Sequence, residues 1–218
     1  MKIKKITPQI FLFEARNQKE LTLTFYRVQE FYESPLKELK SKHFSVYEFI
    51  KAQMKDNGHL DYFHTWVGFN FPDYVLTDWA RIKTQSLGKE EYYLIDQIEK
   101  IAPKDKPYYI LGSVQGAKNV VDHEIAHALY HVNLDYRTVM DVLIDKLIAK
   151  DKDLYKKICK CILDEYSKDV LHDELQAYLS TSSRGYLNGK RFGLELDDAS
   201  YKRLTRNFRK IFKEFRPK

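Results

Sequence analysis

The chain has 218 residues, of which 44% are hydrophobic and 14% aromatic, a composition that excludes an intrinsically disordered protein. Its 37 basic and 31 acidic residues give a formal net charge of +6, which is a mild excess for this length. No run of about 18 apolar residues occurs, so we expect no membrane-spanning helix. A chain of this size fits one domain, and we predict a single domain over residues 1–218.

Hydrophobic periodicity predicts the elements of the first hundred residues. Residues 9–15 form a short apolar run that is typical of a buried strand. An apolar stripe at helical spacing then predicts a helix that Pro35 ends, and Ser45 is a suitable N-cap for a second helix over residues 46–55. The aromatic-rich residues 61–79 are expected to be irregular or to form short strands, and packing in the core is favoured over a wall for substrate.

Helical patterns dominate the remainder of the chain. Residues 90–101 predict a helix, and residues 108–114 predict a buried strand because they are short, apolar and bounded by Pro107 and Gly116. The period then becomes helical, and helices are expected from Lys118 onward and over residues 136–150, 154–166, 170–180 and 201–215. These elements predict an α+β fold with a strand-bearing part over residues 1–106 and a mainly helical, catalytic part over residues 107–218.

The helix that begins near Lys118 contains the sequence HEIAH, an HExxH motif over residues 123–127. His123 and His127 stand at i and i+4, so they project from one face of the helix and can both reach a Zn²⁺ ion at ~2.1 Å. Glu124 is then placed to accept a proton from water that the metal acidifies. The uncharged residues that flank the motif are typical of a buried helix beneath a cleft.

A catalytic zinc site also needs a third protein ligand and an open fourth position. His131 is a poor choice, because eight residues of helix place it ~12 Å along the axis from His123. Tyr130 and Asn133 stand where the longer metzincin motif requires glycine and a third histidine, which excludes that pattern. Glu174 is the preferred ligand, and four neighbouring side chains stay open as alternatives: Asp173, His172, Glu165 and Asp164.

Residues 172–178, HDELQAY, resemble the glutamate-bearing helix of the gluzincins. In that helix an acidic or amide residue precedes the ligand and a small residue follows it by three positions, and Asp173 and Ala177 occupy those places. Together with residues 120–129, this segment makes the chain similar to gluzincin-type zinc metallopeptidases. The first hundred residues resemble only uncharacterised bacterial or phage proteins, from which no function follows.

The gluzincin resemblance implies a zincin-like fold, in which a small sheet has an edge strand beside the buried HExxH helix. Residues 108–114 would be that edge strand and would pair with an extended peptide or protein substrate. The resemblance also implies that Zn²⁺ is held by His123, His127 and Glu174. No motif fixes the group that stabilises the oxyanion, for which the candidates are His172, Tyr178, Arg184 and Tyr186.

Residues 201–218 carry eight Lys or Arg residues and one acid, Glu214. The apolar side chains of this segment recur at helical spacing, so we expect the helix to pack on the domain with its basic side in water. The two cysteines, Cys159 and Cys161, are too close together to form a comfortable disulfide, which indicates a reducing compartment. We therefore predict a cytoplasmic zinc peptidase, and the alternative is a non-enzymatic module whose basic helix binds nucleic acid.

Overall fold

The protein is described by a computed structural model that covers residues 1–58, 60–81 and 87–218. It is an α+β protein, 63% helical, with a small four-stranded mixed sheet. The chain divides into two compact units, Met1–Val121 and Asp122–Lys218. Among the described residues, the first unit contains all four strands and five complete helices, whereas the second unit is helical and contains none of the four strands. The α+β class and the helical C-terminal half are thus confirmed.

The sheet consists of β1 (Lys2–Thr7), β2 (Ile10–Ala15), β3 (Gly68–Pro72) and β4 (Tyr109–Val114), in the order β1-β2-β4-β3. β1 pairs with β2 in antiparallel fashion, β2 with β4 in parallel, and β4 with β3 in antiparallel fashion. Every residue of β2 is buried, as is every residue of β4 except its last. Unbroken apolar runs suit such central strands, because both of their faces are covered.

The prediction that residues 108–114 form an edge strand is wrong. β4 pairs with β2 along one side and with β3 along the other, so its backbone groups are taken up within the sheet. Among the described strands, β1 and β3 occupy the edges. A continuously apolar strand loses more from exposure at an edge than the Lys-rich β1 does, and charged residues are the usual protection of an edge.

Five of the described helices lie wholly in the first unit: α1 (Gln18–Glu33), α2 (Val46–Asn57), α3 (Tyr62–Thr65), α4 (Asp73–Arg81) and α5 (Lys89–Ile101). α1 ends at Glu33, and its C-cap Ser34 stands directly before Pro35, as predicted. α2 begins with a capping box in which Ser45 and Glu48 bond each other's backbone N–H, and Gly58 ends it in the left-handed conformation at φ 72°. The predicted helices of this unit are therefore confirmed, whereas the short α3 and α4 were not predicted.

The first unit is held together by an aromatic core, as the composition of residues 61–79 indicated. Phe25 of α1 stacks on Phe69 of β3 with ring centroids 5.6 Å apart, and both are fully buried. The Phe25 ring also lies directly against Gly112 of β4. Any larger residue there would clash, because a Cβ atom would lie 2.8 Å from the ring. A buried ion pair joins α1 to α5, since Arg27 Nε donates to Glu91 Oε1 at 2.6 Å.

Six helices form the second unit, with the division of the chain falling inside the first of them: α6 (Lys118–Val132), α7 (Leu134–Lys150), α8 (Lys152–Leu163), α9 (Leu171–Thr181), α10 (Arg184–Asn188) and α11 (Asp198–Phe215). The predicted helices are confirmed, and only the five-residue α10 was missed. The predicted boundary near residue 106 differs from the structural division, because β4 pairs within the sheet and belongs to the first unit.

The C-terminal helix α11 packs on α7 and α9, which confirms its predicted packing. Phe208 and Phe212 are buried. The rings of Phe215 and Tyr136 make an edge-type contact, with their centroids 5.5 Å apart. Arg209 is half-buried and donates to the Ser182 carbonyl oxygen at 3.1 Å. Across residues 1–58, 60–81 and 87–218, no helix is both long and apolar enough to cross a membrane.

Candidate metal centre

The HExxH helix brings the two motif histidines together as its spacing predicts. His123 and His127 lie on α6, and their Nε2 atoms are 3.2 Å apart. His127 is only 2% exposed, and the His123 side chain is 19% exposed. α6 continues without a break to Val132, so His131 stays well along the axis from His123 and does not join the pair.

α9 supplies the third group, Glu174. Its Oε1 lies 3.7 Å from His127 Nε2, and its Oε2 lies 4.0 Å from His123 Nε2. One ligand atom from each of these three residues falls within 4.8 Å of the others. Donors that bind one tetrahedral ion at ~2.1 Å stand about 3.4 Å apart, so small side-chain adjustments complete the set. The structure thus places the three predicted ligands around one point.

The four alternative ligands lie elsewhere. Asp173 contacts the far nitrogen of His127, and His172 faces Asp141 at 3.7 Å with its side chain 45% exposed. Glu165 forms an ion pair of 2.9 Å with Arg191. Asp164 is the C-cap residue of α8. None of these four belongs to the metal-binding group found among the described residues.

Each histidine ring is oriented through its Nδ1 atom. His127 Nδ1 lies 2.9 Å from Asp173 Oδ1, so this nitrogen carries a proton and its N–H donates a hydrogen bond to the carboxylate. His123 Nδ1 lies 3.1 Å from the Thr181 hydroxyl oxygen, which accepts because its own proton is donated to the Ala177 carbonyl. Both Nε2 atoms are consequently left with a lone pair directed into the space they share with Glu174.

This donor set fits a cation. Two lone pairs facing each other at 3.2 Å repel unless a proton or a metal ion lies between them. Glu174 Oε2 is buried and has no hydrogen-bond partner in the described part of the chain, although buried carboxylate oxygens are ordinarily satisfied. Two imidazoles and a carboxylate are the ligands of many catalytic zinc sites. The residues therefore suit a divalent metal of the zinc type.

The electrostatics also favour a positive charge at this point. Burial lowers the pKa of the His127 imidazole, but the negative charges of Asp173 and Glu174 outweigh it, and the pKa lies well above its usual value. Burial and the neighbouring charge of His127 hold the pKa of His123 well below its usual value. Burial raises the pKa of the Glu174 carboxyl to about 8. One positive charge is stabilised here, and two separate imidazolium ions are not.

Glu124, the predicted base, lies on α6 and is 5% exposed. Its negative charge contributes to the raised pKa of both His127 and Glu174, so its carboxylate lies close to the donor set. A carboxylate in that position can accept a proton from water and pass it to a leaving group. The buried position reduces competition from bulk solvent for this exchange.

An aromatic corner lies beside His123. The Tyr178 ring is 4.7 Å from the His123 ring and stacks on Tyr186 at 5.9 Å. Arg191 donates to the hydroxyl oxygens of both tyrosines, and it lies 3.0 Å from that of Tyr186. Of the four oxyanion candidates, these two tyrosines are near the site. The other two have different partners, since His172 faces Asp141 at 3.7 Å and Arg184 pairs with Asp198 at 3.3 Å.

Sequence reasoning missed three side chains that support the site: Thr181, Gln176 and Arg191. Thr181 stands one turn after Ala177 in the ligand helix, and Gln176 stands three residues after Asp173, so helical spacing alone could have indicated both. Arg191 lies outside the helices and carried no signal in the sequence.

Comparisons with protein-family models, with curated proteins and with solved structures found no match to this chain.

Proposed function

We propose that the protein is a zinc-dependent hydrolase with a zincin-like fold, and that it acts as a peptidase. The observation that carries the proposal is the convergence of His123 Nε2, His127 Nε2 and Glu174 on one point, with both Nδ1 atoms held by partners on α9. The order of these residues, with Glu124 directly after the first histidine, is that of the gluzincin pattern. Three ligands leave the fourth position of a tetrahedral ion open for water.

His123, His127 and Glu174 would hold Zn²⁺, which when bound supplies Lewis acidity and lowers the pKa of water. Glu124 would accept a proton from a water molecule as the water oxygen bonds to the carbonyl carbon of the peptide, and it would deliver that proton to the leaving nitrogen as the C–N bond breaks. Asp173 and Thr181 keep the histidine rings in the required tautomer. The free cysteines, Cys159 and Cys161, support a reducing, cytoplasmic setting for this activity.

The test is a pair of matched substitutions assayed on a peptide library. Glu124→Gln should retain about one zinc per chain and lose nearly all hydrolysis, because the amide preserves the shape of the side chain and cannot accept a proton. Glu214→Gln, on the exposed side of α11, is the matched control and should keep full activity. Turnover by Glu124→Gln equal to that of the natural protein would remove Glu124 as the base.

A non-enzymatic module that binds nucleic acid through α11 is the alternative function. Lys202, Arg203, Arg206 and Lys213 are exposed on this helix and make it strongly basic. Two other basic residues are engaged within the protein, since Arg209 bonds the Ser182 carbonyl and Arg216 pairs with Asp122. Because part of the basic set serves packing, the metal centre is the better-supported site.

A further inference from the structure

A chain of hydrogen-bonded side chains connects the candidate metal centre to α7. Asp173 Oδ1 faces Nδ1 of His127 at 2.9 Å and also accepts a hydrogen bond of 3.0 Å from Nε2 of Gln176. Gln176 Oε1 in turn accepts a hydrogen bond of 2.8 Å from the hydroxyl of Tyr136. Gln176 and Tyr136 are both completely buried. The chain therefore runs from α7 through α9 to His127 in α6.

The orientation of the Gln176 amide is determined by its neighbours. Nε2 has two acceptors, Asp173 Oδ1 at 3.0 Å and the Ala126 carbonyl oxygen at 3.2 Å. A rotated amide would place Oε1 against both of these oxygens, which is unfavourable in a buried setting. The hydroxyl of Tyr136 completes the arrangement by donating to Oε1. Gln176 thus presents a donor to Asp173 in one fixed geometry.

Asp173 needs such an anchor. Its side chain is 15% exposed, whereas His127 is 2% exposed, so solvent can compete for the carboxylate but not for the ring. A carboxylate that leaves His127 Nδ1 would allow the proton to move to Nε2, and a protonated Nε2 cannot bind a metal. The hydrogen bond from Gln176 opposes that movement because it holds the same oxygen atom that accepts from His127.

We propose that Gln176 is a positioning residue for the metal centre, supported by Tyr136, and that it acts by holding Asp173 against Nδ1 of His127. The inference rests on the proposed function for its metal, and it concerns residues that the gluzincin resemblance does not assign. Substitution of a side chain that orients a metal-binding histidine typically lowers metal affinity by about 10- to 100-fold. We expect a loss of that size when Gln176 is changed.

The experiment compares zinc affinity, measured by competition with a chelator. Gln176→Met keeps the length of the side chain, removes its hydrogen bonds, and should weaken zinc binding by about 10- to 100-fold. Thr205→Val is the matched control, because it removes a buried hydroxyl of the same unit that donates to the Tyr201 carbonyl within α11. It should leave the zinc affinity unchanged. If Gln176→Met does not fold, Tyr136→Phe carries the same test, since it removes only a hydroxyl.

A double-substitution cycle separates positioning from general destabilisation. If Gln176 acts through Asp173, then Gln176→Met should have little further effect on zinc affinity once Asp173→Asn is present. Fully additive losses would contradict the proposal.

The proton on His127 Nδ1 gives a readout that needs no metal. In the metal-free protein it should exchange slowly with solvent in nuclear magnetic resonance spectra, and Gln176→Met should make that exchange fast. If the natural protein binds no zinc but this change is seen, the metal function fails and the positioning role stands. If zinc affinity and proton exchange are both unchanged in Gln176→Met, the positioning role is wrong whatever the metal does.

Discussion

At His123 and His127 the fold commits one nitrogen of each ring to a partner on α9 and directs the other nitrogen to its neighbour. Two neighbouring histidines on a protein surface rarely have both of their rings held in one orientation, because a solvated imidazole gains little from a single orientation. Here the cost of placing two lone pairs at 3.2 Å is offset only when a positive charge lies between them. The arrangement makes physical sense as a site prepared for an ion.

Substitution of the ligands tests this at the level of single residues. His123→Ala, His127→Ala and Glu174→Ala should each lose stoichiometric zinc, because two remaining ligands do not hold the ion tightly. His172→Ala is the control, since this exposed histidine faces Asp141 and lies outside the donor set. Elemental analysis of the purified variants measures the outcome. Full zinc in both histidine variants would disprove the site.

Zinc affinity should also depend steeply on pH. The pKa of Glu174 is raised to about 8 and that of His127 lies well above its usual value, so protons compete with the metal at neutral pH. Protonated groups cannot coordinate, and the affinity is therefore expected to fall as pH decreases below about 8. For each proton released the change is about tenfold per pH unit. Chelator competition between pH 6 and 9 measures it, and an affinity independent of pH would contradict the assignment.

At the level of elements, helical periodicity predicted most of the structure. The stripes that predicted α1 and α11 are long enough for the 3.6-residue period to stand out, and both helices are found where they were expected. α2 was predicted from its N-cap, Ser45, and is also found in place. The elements that were missed are short or atypical: β1, α3, α4 and α10. β1 is rich in lysine, and α3 and α4 lie in an aromatic segment where packing, not periodicity, decides the backbone.

The position of β4 within the sheet shows where sequence reasoning ends. Its apolar run predicted a buried strand, and that prediction is confirmed. Whether a strand is central or at an edge depends on partners far away in the chain, here β2 and β3. The metal site shows the same division. The spacing of His123 and His127 is local and could be predicted, whereas the bond between Tyr136 and Gln176 joins residues 40 positions apart.

The packing of α11 can be tested at the same level. Phe208→Ala removes a buried ring and should lower the free energy of unfolding by about 3–5 kcal/mol. The exposed residues Lys202, Arg203, Arg206 and Lys213, changed together to glutamine, should leave the unfolding temperature nearly unchanged. The same variant should lose any salt-sensitive binding to DNA or RNA. Tight, salt-resistant binding by the natural protein would favour the nucleic-acid alternative.

At the level of the whole molecule, the candidate metal centre and the sheet belong to different compact units. His123, His127 and Glu174, together with their partners Asp173 and Thr181, all lie in the second unit, Asp122–Lys218. The first unit supplies the aromatic core and all four described strands. The effects of a bound metal on stability should therefore concentrate in the helical unit.

Removal of the metal tests this division. A ligand present at 1,000 times its dissociation constant stabilises the folded state by about 4 kcal/mol. A chelator should accordingly lower the hydrogen-exchange protection of α6 and α9, while β2 and β4 keep theirs. Zinc added in excess should restore the lost protection, and magnesium, which prefers oxygen ligands, should not. An equal loss of protection in both units would show that the metal stabilises the chain as a whole.

The buried ion pair of Arg27 and Glu91 limits how these two positions can vary during evolution. Either residue alone would leave an uncompensated charge inside the first unit, at a cost of about 3–5 kcal/mol, a large fraction of the stability of an ordinary domain. If one of the two residues is substituted first, the intermediate sequence therefore has a lower free energy of unfolding until the other is substituted as well. Among descendants of this chain, the two positions should be kept together or replaced together by apolar residues, and an arginine without its glutamate should be rare.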